Sequence, residues 1–284
     1  MHIAVLASLY AVLAVSLNLV VGYTGLLSVN HAAFYGVGAY SVAILTTAHE
    51  LGFFSALGVG LVVSGILAAG MGLLLSKFLG DYYALVSLGF NVIVFSVFLN
   101  WQRITRGSFG IPGIGRPEVS FVSFQSNMAY LALCLVALVL VYALARFVAG
   151  SSFGRVLKAI REDERALQIF GYKVFNYKLV VYVVSAMCAA VAGGLLAAYI
   201  TFIDPAMFSV NESIVVLSII ILGGLANLRA SVLGAALLVV LPEVLRFVGF
   251  PADVAAQMRG VVYGLVLVLL MLYKPQGLLG EYKF

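Results

Sequence analysis

Charge is the first thing this sequence lacks. Only 10% of its 284 residues are Asp, Glu, Lys or Arg, against about 25% in an ordinary soluble domain. With 64% hydrophobic residues, a single soluble domain of this size would have too few polar side chains to cover its surface. Cysteine is nearly absent. Cys134 and Cys188 both lie inside apolar runs, where they read as packing residues rather than a disulfide or metal pair. The histidines His2, His31 and His49 are scattered without metal-ligand spacing, so neither a metal nor a cofactor is expected. Six prolines and no repeated tract exclude fibrous and Pro-rich disordered chains. No Gly-x-x-x-x-Gly-Lys-Ser/Thr phosphate loop occurs, so any ATP hydrolysis belongs to another polypeptide. Carboxylates are scarce in the apolar runs, with Asp81 at the edge of one and Glu243 inside another. That scarcity weighs against a proton-coupled carrier. The first run also lacks the charged leader of a cleavable signal peptide.

What the sequence has is apolar length. A hydrocarbon core of about 30 Å needs about 20 apolar residues per helix. Runs of that kind cover 3–22, 31–48, 54–76, 82–101, 128–149, 174–201, 212–226, 231–249 and 258–273. They predict an all-α polytopic membrane protein of about nine transmembrane helices, a single transmembrane domain over 1–284. The run 212–226 is short and ends at Gly223 and Gly224, which predicts a tilted, broken or re-entrant segment. The 29 glycines suit helices that pack closely in lipid, as do the spacings Gly60/Ser64, Ala68/Gly72, Ala189/Gly193 and Ala190/Gly194.

The net charge of +5 does not point to nucleic acid, because the cations sit in short connections between apolar runs. Eleven Lys and Arg fall in one set of connections and five in the other. The positive-inside rule then places the 150–173 loop and the C-terminus in the cytoplasm and the N-terminus outside.

Two connections are long enough to carry function. Residues 102–127 are rich in Gly and Pro, which predicts an ordered, turn-rich extracytoplasmic loop. Residues 150–173 hold the densest charge in the chain. Glu162, Asp163 and Glu164 suit a helix N-terminus and Gly171 suits a C-cap, predicting a two-turn helix over 162–170. One reading is a solvated surface loop. The other is a plug that enters a groove on a cytoplasmic partner.

Polar uncharged residues at membrane depth include Asn18, Asn91, Ser96, Ser185 and Ser218. Interhelical hydrogen bonding and a translocation path are both open readings for them. Gly22, Gly25, Gly36 and Gly38 flank an expected break between the first two spans, a device that transporters use to line cavities.

Several motifs carry a resemblance. They include Gly154-Arg155-Val156-Leu157-Lys158-Ala159-Ile160-Arg161-Glu162-Asp163-Glu164-Arg165-Ala166-Leu167 and Leu17-Asn18-Leu19-Val20-Val21-Gly22-Tyr23-Thr24-Gly25. With them stand Gly80-Asp81-Tyr82-Tyr83-Ala84, Leu222-Gly223-Gly224-Leu225, Leu241-Pro242-Glu243 and Lys274-Pro275-Gln276-Gly277. Together they resemble the inner-membrane permeases of branched-chain amino acid ABC importers, the M-type subunit more than the H-type. The resemblance implies the ABC importer permease fold of the branched-chain amino acid and ribose type. It also implies a coupling helix for the ATPase, which falls on Arg161, Glu162, Asp163, Glu164, Arg165, Ala166, Leu167, Phe170 and Gly171. The Glu-Ala-Ala pattern of such helices stands here as Glu164-Arg165-Ala166. Asn18, Asn91, Ser96 and Ser185 are the candidates for the translocation path. The implied partners are a second permease subunit (H-type, or a second copy), two cytoplasmic ATP-binding subunits, an extracytoplasmic solute-binding protein and the lipid bilayer. Family members often carry one more helix ahead of the equivalent of 3–22, which would reverse the side of the N-terminus. Rival readings are an ion-coupled secondary carrier and a structural subunit of a membrane enzyme complex.

Overall fold

Each of the first eight apolar runs is a helix in the computed structural model, which describes residues 1–75, 78, 80–119, 122–247, 264–265, 268 and 276–279. The helices in the membrane-spanning part are α1 (His2–Thr24), α2 (His31–Ala48), α3 (Phe53–Leu75) and α4 (Asp81–Asn100). Beyond the 102–127 loop come α6 (Asn127–Gly150), α9 (Val174–Ile200), α10 (Val210–Gly223) and α11 (Leu228–Phe247). A short α5 (Gln102–Thr105) opens the 102–127 loop, and α7 (Ser152–Glu162) and α8 (Glu164–Ile169) form the charged loop. The run 258–273 falls almost wholly outside the described residues, as does the side chain of Glu243.

Among the described residues five helices are long and apolar enough to cross a membrane, or six if the α10–α11 pair is one broken span. Of the nine expected runs, 258–273 lies outside the search, and the rest of the difference has two physical reasons. Helix α2 carries His31, Tyr35, Tyr40, Ser41, Thr46 and Thr47 and is shielded from lipid. Helices α10 and α11 meet at a 119° bend, and the 14 residues of α10 rise only about 21 Å.

Burial sorts the helices into two layers. In α1, 72% of the best 18-residue window is buried, against 17% in α6. An inner group of α1, α2 and α9 is wrapped by α3, α4 and α6, whose outward faces carry Ile66, Leu74, Leu85, Ile93, Val139 and Leu140. Apolar side chains facing lipid gain nothing from burial, so the inner contacts depend on close backbone approach. A Cβ on Gly193 would lie 2.9 Å from the Ala39 backbone nitrogen, and Gly38 faces the Ala190 backbone. Small residues on α2 and α9 therefore interlock, and Ser64 of α3 reaches the Ala186 carbonyl at 3.1 Å.

The two ends of the bundle differ. At one end, His2 bonds the Tyr199 hydroxyl at 3.0 Å, near the 102–127 loop. In that loop β1 (Ile111–Pro112) pairs antiparallel with the distant β4 (Phe202–Ile203), while β2 (Glu118–Val119) pairs with β3 (Val122–Ser123). Residues 205–208 form a turn of 3-10 helix that drives Phe208 against Tyr35 and Tyr40, with ring centroids 5.4 and 5.8 Å away. The opposite end gathers Thr24, the 150–173 loop and the α10–α11 turn. Residues 276–279 join it there, Leu278 and Leu279 donating their N–H groups to Leu222 and Gly223 at 3.0 Å each.

Candidate functional site

Breaking a helix at membrane depth strands backbone groups that lipid cannot satisfy. Helix α1 ends at Gly25 in the left-handed conformation (φ 71°). Residues 25–30 then double back, so α2 starts beside Ser16 of α1, with His31 bonded to Ser16 at 2.7 Å. Side chains from three other helices supply what the break lacks. The Val29 N–H donates to Ser87 of α4 at 3.0 Å, and the Ala32 N–H to Ser213 of α10 at 2.9 Å. Asn91 donates to Ser213 at 3.0 Å and to the Val29 carbonyl at 3.4 Å. Ser28 donates to Asn30 at 2.8 Å, and Asn30 in turn to the hydroxyl of Tyr182 on α9. Ser185 donates to the Ser16 carbonyl at 2.5 Å. Every one of these side chains is buried. The Asn91 Oδ1 atom stands without a hydrogen-bond partner among the described residues. The result is a polar nest inside an apolar bundle.

Asn91 and Ser185 are thus brought into one cluster around the α1–α2 break. Asn18 sits elsewhere, buried against the α10–α11 turn. Its Nδ2 donates to Ser231 at 2.6 Å and to the Asn227 carbonyl at 3.2 Å, and its Oδ1 accepts the Ala226 N–H at 3.0 Å. Ala226 has φ 59°, a left-handed conformation unusual for a residue with a Cβ. Ser96 lies on the exposed face of α4. Ser218 donates to the Ile214 carbonyl of its own helix at 2.7 Å.

The charged loop is more ordered than a surface loop needs to be. Helix α7 buries Gly154, Leu157 and Ile160 on one side, an amphipathic pattern at helical spacing. Lys158 lies 5.5 Å from the Tyr23 ring centroid and Arg161 donates to the Gly22 carbonyl, both at the end of α1. The helix expected over 162–170 begins two residues later, because Glu162 completes α7 and Asp163 breaks the chain (φ −154°, ψ 101°). Asp163 then caps α8, accepting the Ala166 N–H at 3.0 Å. Glu164 pairs with Lys178 of α9, which is itself buried. At the far end Gly171 (φ 85°) ends α8, with Tyr172 N–H bonded to the Leu167 carbonyl at 3.1 Å and Gly171 N–H to Gln168 at 3.0 Å. Those are the paired bonds of a Schellman cap. Ile169 and Phe170, 85% and 79% exposed, project from this clamped turn.

Some residues of these sites escape sequence reasoning. Ser87, Ser213 and Tyr182 matter only through contacts between helices. Glu212 stands in the first turn of α10, where Tyr10 hydrogen-bonds it. The polar triplet Asn211-Glu212-Ser213 ahead of an apolar run was its available signal. Cys134 and Cys188 are buried in α6 and α9. Among the described residues no group of His, Cys, Asp and Glu is arranged to hold a metal ion.

A family model described as branched-chain amino acid transport system / permease component matches residues 1–271. The chain is 36% identical to the high-affinity branched-chain amino acid transport system permease protein LivM of Escherichia coli K12, over 98% of its own length and 69% of the relative's. It is 24% identical to the probable branched-chain amino acid transport permease protein LivM of Methanocaldococcus jannaschii, covering 96% of this chain and 91% of that one. The LivH permease protein of the Salmonella typhimurium system is 25% identical, with coverages of 97% and 92%. No solved structure matches the chain.

Proposed function

This chain belongs to the permease-component family of branched-chain amino acid transport systems, and from that premise we propose that it forms one membrane-spanning half of an ATP-driven importer. It is a multi-pass membrane permease; what it carries is here assigned as branched-chain amino acids or a related small polar solute. The absence of a phosphate loop from the sequence supports placing ATP hydrolysis on two separate cytoplasmic subunits. The other half of the pathway is an H-type permease or a second copy, and a solute-binding protein docks at the end that carries the 102–127 loop. The 150–173 loop and the C-terminus face the cytoplasm in this reading.

The observation that carries the proposal is the clamped α8 with its two exposed apolar side chains. A hydrophobic knob at the end of a rigid, capped turn fits a groove in a partner protein. Force applied at Phe170 has a short path inward: through Glu164 and Lys178 to α9, and through α7 and Arg161 to the end of α1. Both helices then lead to the polar nest at the α1–α2 break. A rigid-body shift of α8 can therefore rearrange groups at membrane depth without unfolding anything between. Residues Arg161 to Gly171 act as the coupling element, and Asn91 and Ser185 are the best placed of the path candidates.

Proteoliposomes holding the whole assembly test this. Deleting 162–170 should leave the chain inserted while solute-dependent ATPase activity and uptake fall to background. Normal uptake by the deletion variant would remove the coupling assignment, and no solute-dependent ATPase activity in the wild-type assembly would favour a structural subunit. Glu212 beside Tyr10 supports a second reading, an ion-coupled carrier, since an intramembrane acid is a functional candidate by default. Uptake that survives ATP depletion but collapses with an uncoupler would favour it.

A further inference from the structure

Three aromatic rings close the bundle between the polar nest and the 102–127 loop. Tyr40 of α2 stacks on Phe98 of α4 with ring centroids 4.4 Å apart, and Phe208 stands edge-on to them at 5.8 and 6.2 Å. The three rings lie on one side of the nest. Tyr40 follows His31 by nine residues and Phe98 follows Asn91 by seven, rises of about 14 and 10 Å. Phe208 precedes Ser213 by five residues. Exposure of the three is 3%, 6% and 0%. Gly36 is the seat beneath them: a Cβ there would come within 2.5 Å of the Phe98 ring and 2.9 Å of the Phe208 ring. A larger residue would hold the rings apart, so glycine at this position lets the stack shut.

The Tyr40 hydroxyl is buried and has no hydrogen-bond partner among the described residues. A buried polar atom left unpaired calls for an explanation. A second arrangement, in which the rings part and water reaches the hydroxyl, supplies one. The attachments of the rings show how they can part. The Thr105 hydroxyl, at the start of the 102–127 loop, donates to the Phe98 carbonyl at 2.7 Å. Strand β4 leads into the 205–208 turn and pairs with β1 of the loop. The Gly113 and Ile114 N–H groups of the loop reach the Thr201 carbonyl at 3.0 and 3.3 Å. Gly36 and Tyr40 ride instead on α2, which is locked to α9 through Gly38 and Gly193. A displacement of the loop therefore moves Phe98 and Phe208 against Tyr40.

We infer that Tyr40, Phe98 and Phe208 are the outer gate of the solute path, shut in this structure over the nest and opened from the 102–127 loop. The inference rests on the import reading above and extends it: the gate keeps solute from the nest until the binding protein engages the loop.

Right-side-out membrane vesicles holding the complete assembly test this. With Cys134 and Cys188 replaced by alanine, Val94→Cys is the reporter, since Val94 lies on α4 between Asn91 and Phe98 and is 8% exposed. Sulfonatoethyl methanethiosulfonate, an impermeant thiol reagent, is added outside. Labelling should be slow at rest and roughly tenfold faster when internal ATP and leucine-loaded binding protein shift the population toward the open state. In Gly36→Ala the added methyl crowds both rings, so resting labelling should rise roughly tenfold with no binding protein present. Phe208→Leu, which removes a ring but keeps an apolar side chain, is a second opener should Gly36→Ala not accumulate in the membrane. A thiol equally shielded at rest, during turnover and in a membrane-inserted opener overturns the gate. ATP-driven leucine uptake by vesicles holding the wild-type chain separates the two claims. Uptake with the thiol shielded throughout removes the gate and leaves the importer. Labelling in the openers without any ATP-driven uptake keeps the gate as a lid over the nest and removes the importer.

Discussion

Replacing Asn18 by alanine tests what holds the α10–α11 turn in place. The amide accepts the N–H of Ala226 at 3.0 Å and donates to Ser231 at 2.6 Å. After truncation Ser231 and Asn227 still have each other, since Ser231 Oγ reaches the Asn227 carbonyl at 3.3 Å. The Ala226 N–H has no such fallback, and Ala226 is 1% exposed. A buried donor left unpaired costs about 1–3 kcal/mol. The left-handed backbone of Ala226 is common to wild type and variant and adds nothing to the difference. Asn18→Ala should therefore destabilise the protein by about 1–3 kcal/mol. At 2–4 °C per kcal/mol for chains of somewhat smaller size, the unfolding temperature of purified Asn18→Ala should fall by roughly 2–12 °C. Intrinsic tyrosine fluorescence of the detergent-solubilised protein during heating reads this directly. Ser96→Ala, on an exposed face, should stay within about 0.5 kcal/mol of wild type. A double-mutant cycle with Ser231→Ala should yield a coupling of about 0.6–1.7 kcal/mol. If Asn18→Ala melts within 1 °C of wild type while its uptake affinity changes, the amide lines the solute path and the fastening argument fails.

Further outcomes follow from the same geometry. Ile169→Ala with Phe170→Ala removes both exposed anchors of α8; loss of an interface hot spot of about 2 kcal/mol should weaken ATPase-subunit binding roughly thirtyfold, and unchanged pull-down affinity would count against the docking role. Lys178→Met strands the Glu164 carboxylate at a partly buried site and should cost about 1–3 kcal/mol. Adding Glu164→Gln should recover most of that loss, and a double variant as unstable as the single one would show that the pair is not what clamps α8. Gly193→Leu forces α2 away from α9 and should abolish folded protein in the membrane fraction, as overpacking of a close helix contact does; wild-type yield and melting would show that the two helices do not interlock there. Glu212→Gln should leave ATP-driven uptake within about twofold of wild type, as expected for a neutral isostere outside the coupling path, whereas complete loss would point to proton coupling through this carboxylate.

How far the sequence was legible depended on whether a signal was local. Hydrophobic length placed α1, α3, α4, α6 and α9 to within one or two residues, because lipid imposes the same requirement on every residue of a span. Gly223 and Gly224 marked the bend between α10 and α11 through their own backbone freedom. The acidic start and Gly171 finish of α8 were likewise visible, although Glu162 proved to close α7. Helix α7 itself was missed. Its Gly154, Leu157 and Ile160 keep a helical period, but the charges between them masked it. The candidate site was much less legible. Asn91 and Ser185 meet at the α1–α2 break through Val29, Ser213 and Ser16, and no spacing along the chain encodes that meeting. Asn18 finds its partners 206 to 213 residues away. The pairing of β1 with β4 rests on two residues per strand, too little for any periodicity.

The burial of α1 has a bearing on how the protein is made. Helix α1 is synthesised ahead of α6, α9, α10 and α11, the helices that enclose it, yet it lies in the inner group of the bundle. Its neighbours α9 and α11 emerge from the ribosome long afterwards. At about 5–20 residues per second, Asn18 waits roughly 10–40 s for the turn that will bind it. During that interval a helix carrying Ser8, Ser16 and Asn18 must stay in the membrane without the turn that binds Asn18. Its mean hydropathy of 2.3 is what allows it to wait. The grease of α1 is therefore less a packing feature than a holding device, keeping the future core of the bundle in the bilayer until the last helices arrive to close around it.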